Sequence, residues 1–301
     1  MTDHVANHAG AIIQAAIVIA KQIGAKALMA RTPALPDPRA VLEKLAAPTG
    51  LILIHQTGDK PVRVDAERVQ HLEVPRVNLT RMDQIKMAMV LAFSQRLLDG
   101  GDDFVALSGV ADHPVDTIVS MRVGEEYELF QTVGQPKLIE RVRRIVFQRV
   151  LTLAVELANE GREGKPVGAI FVIGSVRELQ KYTQQHIMNP FRGYGEKERN
   201  ILDDRMRNTV KEFAAIDGAF VIKGNGVIVS AGTTLRPDMG GEDLPQGLGA
   251  RHTAAAAITA STKSIAITVS ESTGAVRLWR RGKMITEIEK APRAPLGSPA
   301  P

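Results

Sequence analysis

Cysteine is absent from the 301 residues, which excludes disulfides, thiolate nucleophiles and cysteine-based zinc sites and fits a reducing compartment. Aromatic side chains are scarce, with one Trp, three Tyr and eight Phe, so any core must be aliphatic. Apolar residues reach 44%, enough for an ordered globular chain long enough for two domains. Long apolar runs are missing. The run Ala11 to Ala20 contains Gln14 and is half the roughly twenty residues that a spanning helix needs. Asp3 and His4 stand where a secretory leader would be basic. The expectation is a cytoplasmic protein with no membrane partner. Charge of one sign does not dominate either. The net charge is +5, but acidic residues are interspersed along the chain, so a DNA partner is not expected.

Periodicity divides the chain. Ile12, Ala16, Ile19, Ala20 and Ile23 share a helical face that ends at Gly24. A second helix is predicted over 38–46 and a long one over 81–98. Leu51-Ile52-Leu53-Ile54-His55 has the continuous apolar character of a strand buried on both faces, and further strands are predicted at 74–79, 104–110 and 117–123. Strands alternating with helices imply parallel pairing, so residues 1–125 are expected to form a doubly wound parallel α/β sheet domain. Gly134-Gln135-Pro136 marks a boundary. Beyond it come a helix over 137–159, a buried strand over 167–174, a loop over 189–194 and a helix over 200–214. Strands at 220–223 and 227–231 flank the hairpin signal Gly224-Asn225-Gly226. A helix over 252–262 and strands at 264–270 and 275–280 complete a second domain, 135–288, with a mixed central sheet flanked by helices. The proline-rich tail 291–301 is expected to be disordered.

Two stretches carry chemistry. Asp217-Gly218-Ala219 sets a lone carboxylate beside residues without bulk. About thirty residues on, Gly247-Leu248-Gly249-Ala250-Arg251-His252-Thr253 is a glycine turn opening a helix with an arginine at its start. A carboxylate can hold a metal or a hydroxyl, and a helix N-terminus offers N–H groups and a positive dipole to phosphate. Arg251 can pair two phosphate oxygens at once, which Lys cannot. Taken alone, Asp217 reads better as a turn residue bonded to its own backbone, and Gly218 could equally be an ordinary strand-entry glycine. His252 is expected to orient the loop rather than act as an acid or base.

Six pieces in order now resemble one family over almost the whole second half. They are the long helix; Glu160-Gly161-Arg162-Glu163-Gly164-Lys165-Pro166-Val167-Gly168 leading into Ile170-Phe171-Val172-Ile173-Gly174; Asn189-Pro190-Phe191; Asp217-Gly218-Ala219; Arg251-His252; and Val269-Ser270-Glu271. The resemblance is to diadenylate cyclases, which make cyclic di-AMP. More loosely, on the order of its elements and its ending from Gly109 to Val123, residues 1–125 resemble the C-terminal domain of pyruvate kinases. No room exists for a pyruvate kinase barrel, so that activity is not implied.

The cyclase resemblance implies a role for each residue. Asp217 and Glu271 would bind Mg²⁺ or Mn²⁺, and Asp217 and Arg251 would be catalytic. Gly218, Ala219, Leu235, Gly249, Arg251, His252, Thr253 and Ser270 would contact the nucleotide. It also implies ATP as substrate, and self-association, because two domains must face each other for each 3′-hydroxyl to reach the other's α-phosphate. The N-terminal domain would serve assembly or regulation. The chain departs from the family's Gly-Thr-Arg-His-Arg form at Ala250 and Thr253. The absent second arginine leaves open an alternative, a catalytically weak or inactive ATP- or cyclic di-AMP-binding module. Arg236, Lys263 or Arg277 could replace the charge.

Overall fold

The computed structural model describes residues 2–35, 37–59, 64, 66–109, 114–124, 142–236 and 249–290. The expected boundary at 134–136, the start of the predicted helix at 137, Gly247 and Leu248 of the glycine turn, and the tail 291–301 lie outside the described residues.

The first sheet forms around the apolar runs. Its order is β3 (Val69–Val74), β2 (Gly50–Gln56), β1 (Ala27–Arg31), β4 (Asp103–Ser108), β5 (Thr117–Arg122). Strand alternation sends Met29, Ile52, Ile54, Phe104 and Ala106 to one face and Leu28, Leu51, Leu53, Val105 and Leu107 to the other. Helices α1 (Thr2–Gln22) and α2 (Pro38–Lys44) cover the second face. Helix α3 (Arg81–Ser94) covers the first. Asp37 starts α2 by accepting from the N–H groups of Arg39 and Ala40, and Thr80 starts α3 by accepting from Asp83. The sheet is doubly wound and parallel except at its edge, where β5 runs antiparallel to β4. The connection 109–116 is shorter than the dozen or so residues a parallel crossover requires.

The strand expected at 74–79 lies at 69–74 instead. Pro75 follows at once, and a proline cannot donate to a ladder, so pairing ends there. The helix expected from 200 begins at Arg205, as α6 (Arg205–Phe213).

The second sheet has the order β12 (Lys283–Ile288), β11 (Val276–Arg280), β10 (Ile265–Val269), β6 (Ala169–Gly174), β8 (Ala219–Lys223), β9 (Ile228–Leu235), β7 (Thr183–Gln185). Only β6 and β8 pair in parallel; the other neighbours are antiparallel, so the sheet is mixed as expected. Helix α4 (Arg144–Glu160) packs on one face through Val146, Phe147, Val150 and Leu153. The alanine-rich α7 (Ala250–Ser261) packs on the other, with Ala255, Ala256 and Ile258 against Val172, Ala266 and Trp279. A short helix α5 (Val176–Leu179) lies between β6 and β7.

The two sheets share a core. α3 packs against α4 and β12, and one apolar cluster runs without a break from Met29 and Phe104 through α3 to Phe147 and Phe171. Arg144 Nη1 donates to the Gln95 carbonyl at 3.1 Å across the same seam. A continuous apolar junction should make unfolding cooperative. The chain is expected to lose both sheets in one urea transition, and Phe147→Ala to lower its midpoint with a cost of about 3–5 kcal/mol. Two resolved transitions by circular dichroism would show that the halves unfold separately.

Candidate functional site

The register of the second sheet gathers the candidate residues along one edge. Val269 pairs with Ala169, Ile170 with Ala219, and Ala219 with Thr233. Because β6 and β8 are parallel and β10 and β9 antiparallel to them, the amino ends of β6 and β8 meet the carboxyl ends of β10 and β9 there. Gly168, Asp217, Ser270 and Leu235, all at these strand ends, therefore share an edge, and the first turn of α7 brings Arg251 to it.

Arg251 is the centre of the cluster. Its Nη1 donates to Glu271 Oε2 at 3.1 Å, and its Nη2 lies 3.8 Å from Asp217 Oδ1. The Asp217 side chain is 97% exposed, so its carboxylate remains hydrated and open to a ligand. The guanidinium rests on bare backbone: a Cβ at Gly168 would lie 2.5 Å from Nη1 and 2.8 Å from Cζ. Gly168 was not among the residues expected to matter. The available signal is a glycine one residue before a fully buried strand, where a packed side chain would otherwise be normal.

Gly218 has φ +112°, and a Cβ there would lie 2.6 Å from the carbonyl carbon of Gly232. Only glycine lets these two strand ends touch. Ala219 is fully buried and belongs to the apolar cluster on which Leu235, itself partly exposed, packs. Gly249 is the N-cap of α7 and has no side chain to cap it, so the first N–H groups of the helix are left to other partners. Thr253 Oγ1 reaches back to the Gly249 carbonyl at 3.4 Å.

Two residues point elsewhere. Ser270 is 7% exposed, and its Oγ accepts from Thr273 N–H at 3.3 Å within its own turn. His252 is buried beside Trp279, and its Nε2 accepts from Arg277 Nη1 at 2.7 Å. Arg277 is held in turn by Glu287 at 2.6 Å. Of the cations that might replace the missing arginine, Arg277 is therefore committed to the core, and Arg236 Nη2 lies 3.3 Å from His186 Nε2. Among the described residues no group of three or more His, Asp or Glu could hold a metal by itself.

Burial, followed by the positive charge of Arg277, lowers the His252 pKa below its ordinary value, although Glu287 opposes this. The unfolded chain therefore binds a proton that the folded chain resists. Stability from this group is complete above roughly pH 6.5 and is lost as pH falls through the folded pKa. The urea midpoint should drop between pH 7 and 5, and the drop should shrink in His252→Asn. An equal drop in both proteins would remove His252 as its source.

Residues 156–284 match the family model described as DisA bacterial checkpoint controller nucleotide-binding. Residues 8–131, which cover most of the part compared above with pyruvate kinases, match a model described as Probable sensor domain DacZ_P. A diadenylate cyclase of Methanocaldococcus jannaschii is 39% identical over 218 residues, 70% of this chain and 67% of that protein. One of Haloferax volcanii is 37% identical over 232 residues, 75% of this chain and 81% of that protein. Among solved structures, DacA from Staphylococcus aureus aligns over 46% of this chain and 83% of its own at 24% identity, with a TM-score of 0.30. No helix among the described residues is long and apolar enough to cross a membrane. With two relatives above a third identical and matched over two thirds or more of their length, the chain belongs to the diadenylate cyclase family of nucleotidyltransferases.

Proposed function

We propose that the protein condenses two ATP molecules into cyclic di-AMP and two pyrophosphates, using two second-half domains, 135–288, that meet face to face, with residues 1–125 serving assembly or regulation. The observation that carries this is the guanidinium of Arg251, seated on Gly168 between the carboxylates of Asp217 and Glu271. Three charges on three separate elements converge on one edge beside an uncapped helix N-terminus. That is an arrangement for a polyphosphate.

Each residue then has a task. Arg251 pairs with phosphate oxygens and meets the charge that grows as the α-phosphoryl is transferred. The first N–H groups of α7 add fixed donors. Gly218 and Ala219 let the nucleoside approach the main chain, and the partly exposed face of Leu235 packs on the adenine. Thr253 and Ser270 contribute hydroxyls once they leave their local partners, and buried His252 holds the first turn of α7 in place. Asp217 and Glu271 are hard oxygen donors at the ends of β8 and β10, the two strands that flank β6, and fit Mg²⁺ or Mn²⁺ in chemistry. A divalent cation bound there would lower the pKa of the 3′-hydroxyl and offset phosphate charge. One domain holds one nucleotide, so the attacking hydroxyl must come from a second copy.

A specific observation favours a second reading. Thr253 carries no charge where the family has arginine, while Arg277 is tied to Glu287 and His252. A protein that binds ATP or cyclic di-AMP and turns over slowly, or not at all, would look the same.

Purified protein with ATP and Mn²⁺, analysed by chromatography for cyclic di-AMP, separates the two. Product is expected from the wild type. Asp217→Asn should abolish it with the fold intact, and Arg251→Ala should slow it by about 10²–10³. Gly168→Ala should slow it comparably, because the added methyl displaces the guanidinium. Thr253→Arg should raise the rate. ATP binding without product in the wild type would establish the second reading; unimpaired Asp217→Asn would remove that residue from its role.

A further inference from the structure

The carboxyl ends of β1, β2, β3 and β4 open into a narrow cleft, open to solvent, between the first sheet and α3. The strand order β3-β2-β1-β4-β5 explains its place. The chain leaves β1 to one side, then returns through α3 to the other. The crevice outside β1 and β4 is thus the topological switch point, where open α/β sheets bind ligands.

The two-residue period of the strands supplies the lining. Met29, Ile54 and Ala106 face α3, and two residues later so do Arg31, Gln56 and Ser108. The walls are mainly apolar, with Ile85 and Met87 of α3 opposite. Among the described residues, two polar groups of the lining have no partner. Ser108 is 3% exposed and its Oγ makes no hydrogen bond among the described residues. Arg31 is the single charged side chain of the lining and has no ion-pair partner among the described residues. A buried hydroxyl and a guanidinium left open at the mouth of an apolar cleft are complementary to one ligand type.

We propose that this cleft binds a small carboxylic acid with an apolar body. The carboxylate pairs with Arg31 and accepts from the Ser108 hydroxyl, while the body lies against Met29, Ile54, Ile85 and Met87. A single guanidinium among apolar walls matches a monoanion; a phosphate dianion would call for more donors. The cleft also has a short connection to the other half of the chain. Leu79, on its wall, pairs with Lys290, whose Nζ donates to the carbonyls of Ala158 and Asn159 at 3.2 and 2.8 Å. Gly274, at the end of the turn that begins with Glu271, lies against the same Ala158 carbonyl and the Lys290 side chain. An effect of the acid on cyclase rate rests on the function proposed above; its binding does not.

The test is a methyl NMR titration of the full chain, labelled at Met and Ile, with hexanoate, octanoate and phenylacetate at millimolar concentration. At least one acid is expected to shift the methyls of Met29, Ile54, Ile85 and Met87, and the uncharged hexanamide to bind more weakly than hexanoate. Arg31→Gln should weaken the acid by about tenfold. Ser108→Ala should weaken it several-fold without lowering the melting temperature, since it removes an unpartnered hydroxyl. The proposal is overturned if no acid moves these methyls, if hexanamide binds as tightly as hexanoate, if Arg31→Gln binds unchanged, or if inorganic phosphate moves the same signals more strongly. A failure here leaves the ATP assay untouched, and a failure there leaves this titration untouched.

Discussion

The site depends on one close approach, that of the Arg251 guanidinium to the backbone at Gly168. Two carboxylates at the ends of β8 and β10, on either side of β6, repel each other. A cation can lie between them only if the sheet edge beneath has no side chain. Gly168 provides that gap, and Gly218 provides a second by letting its strand end touch Gly232. Both glycines stand where the chain enters a buried strand, so the apolar interior of β6 and β8 fixes the floor on which the charges sit.

The layers then determine how the site can be influenced. Helices α3 and α4 lie together between the two sheets and share one apolar cluster. Packed interiors deform little and pass strain on. Helix α4 ends at Gly161, where a Cβ would lie 2.1 Å from the Lys165 carbonyl, and this sharp exit leads along 161–168 to the residue under Arg251. The first half therefore abuts the helix that leads into the site, which supports the regulatory or assembly role proposed for it.

Much of this was legible in the chain. The buried strands at 51–55 and 167–174 announced themselves by continuous branched apolar residues, and α7 by its alanines after a glycine turn. The strand at 69–74 did not, because its outward residues Gln70, His71 and Glu73 dilute the pattern; the expectation slid across Pro75 into a more apolar stretch. The strand over 283–288 was missed for the same reason, carrying charges at Lys283 and Glu287 on an edge. In the site, Asp217, Arg251 and Glu271 could be named from their motifs. Gly168 could not, because its importance lies in what rests on it from α7. Nor could the engagement of Arg277, whose partners His252 and Glu287 come from a helix and another strand.

By itself the sequence determined the class of elements, the aliphatic core, the absence of thiol chemistry and the residue types that suit a nucleotide, since these follow from composition and local period. Tertiary structure alone decided which strand ends share an edge, which cations are free to meet an anion, and that the Ser108 hydroxyl and the Arg31 guanidinium both line the cleft over β1 and β4. Those outcomes depend on register and crossover between segments far apart in the chain, and no local pattern encodes a distance across a sheet.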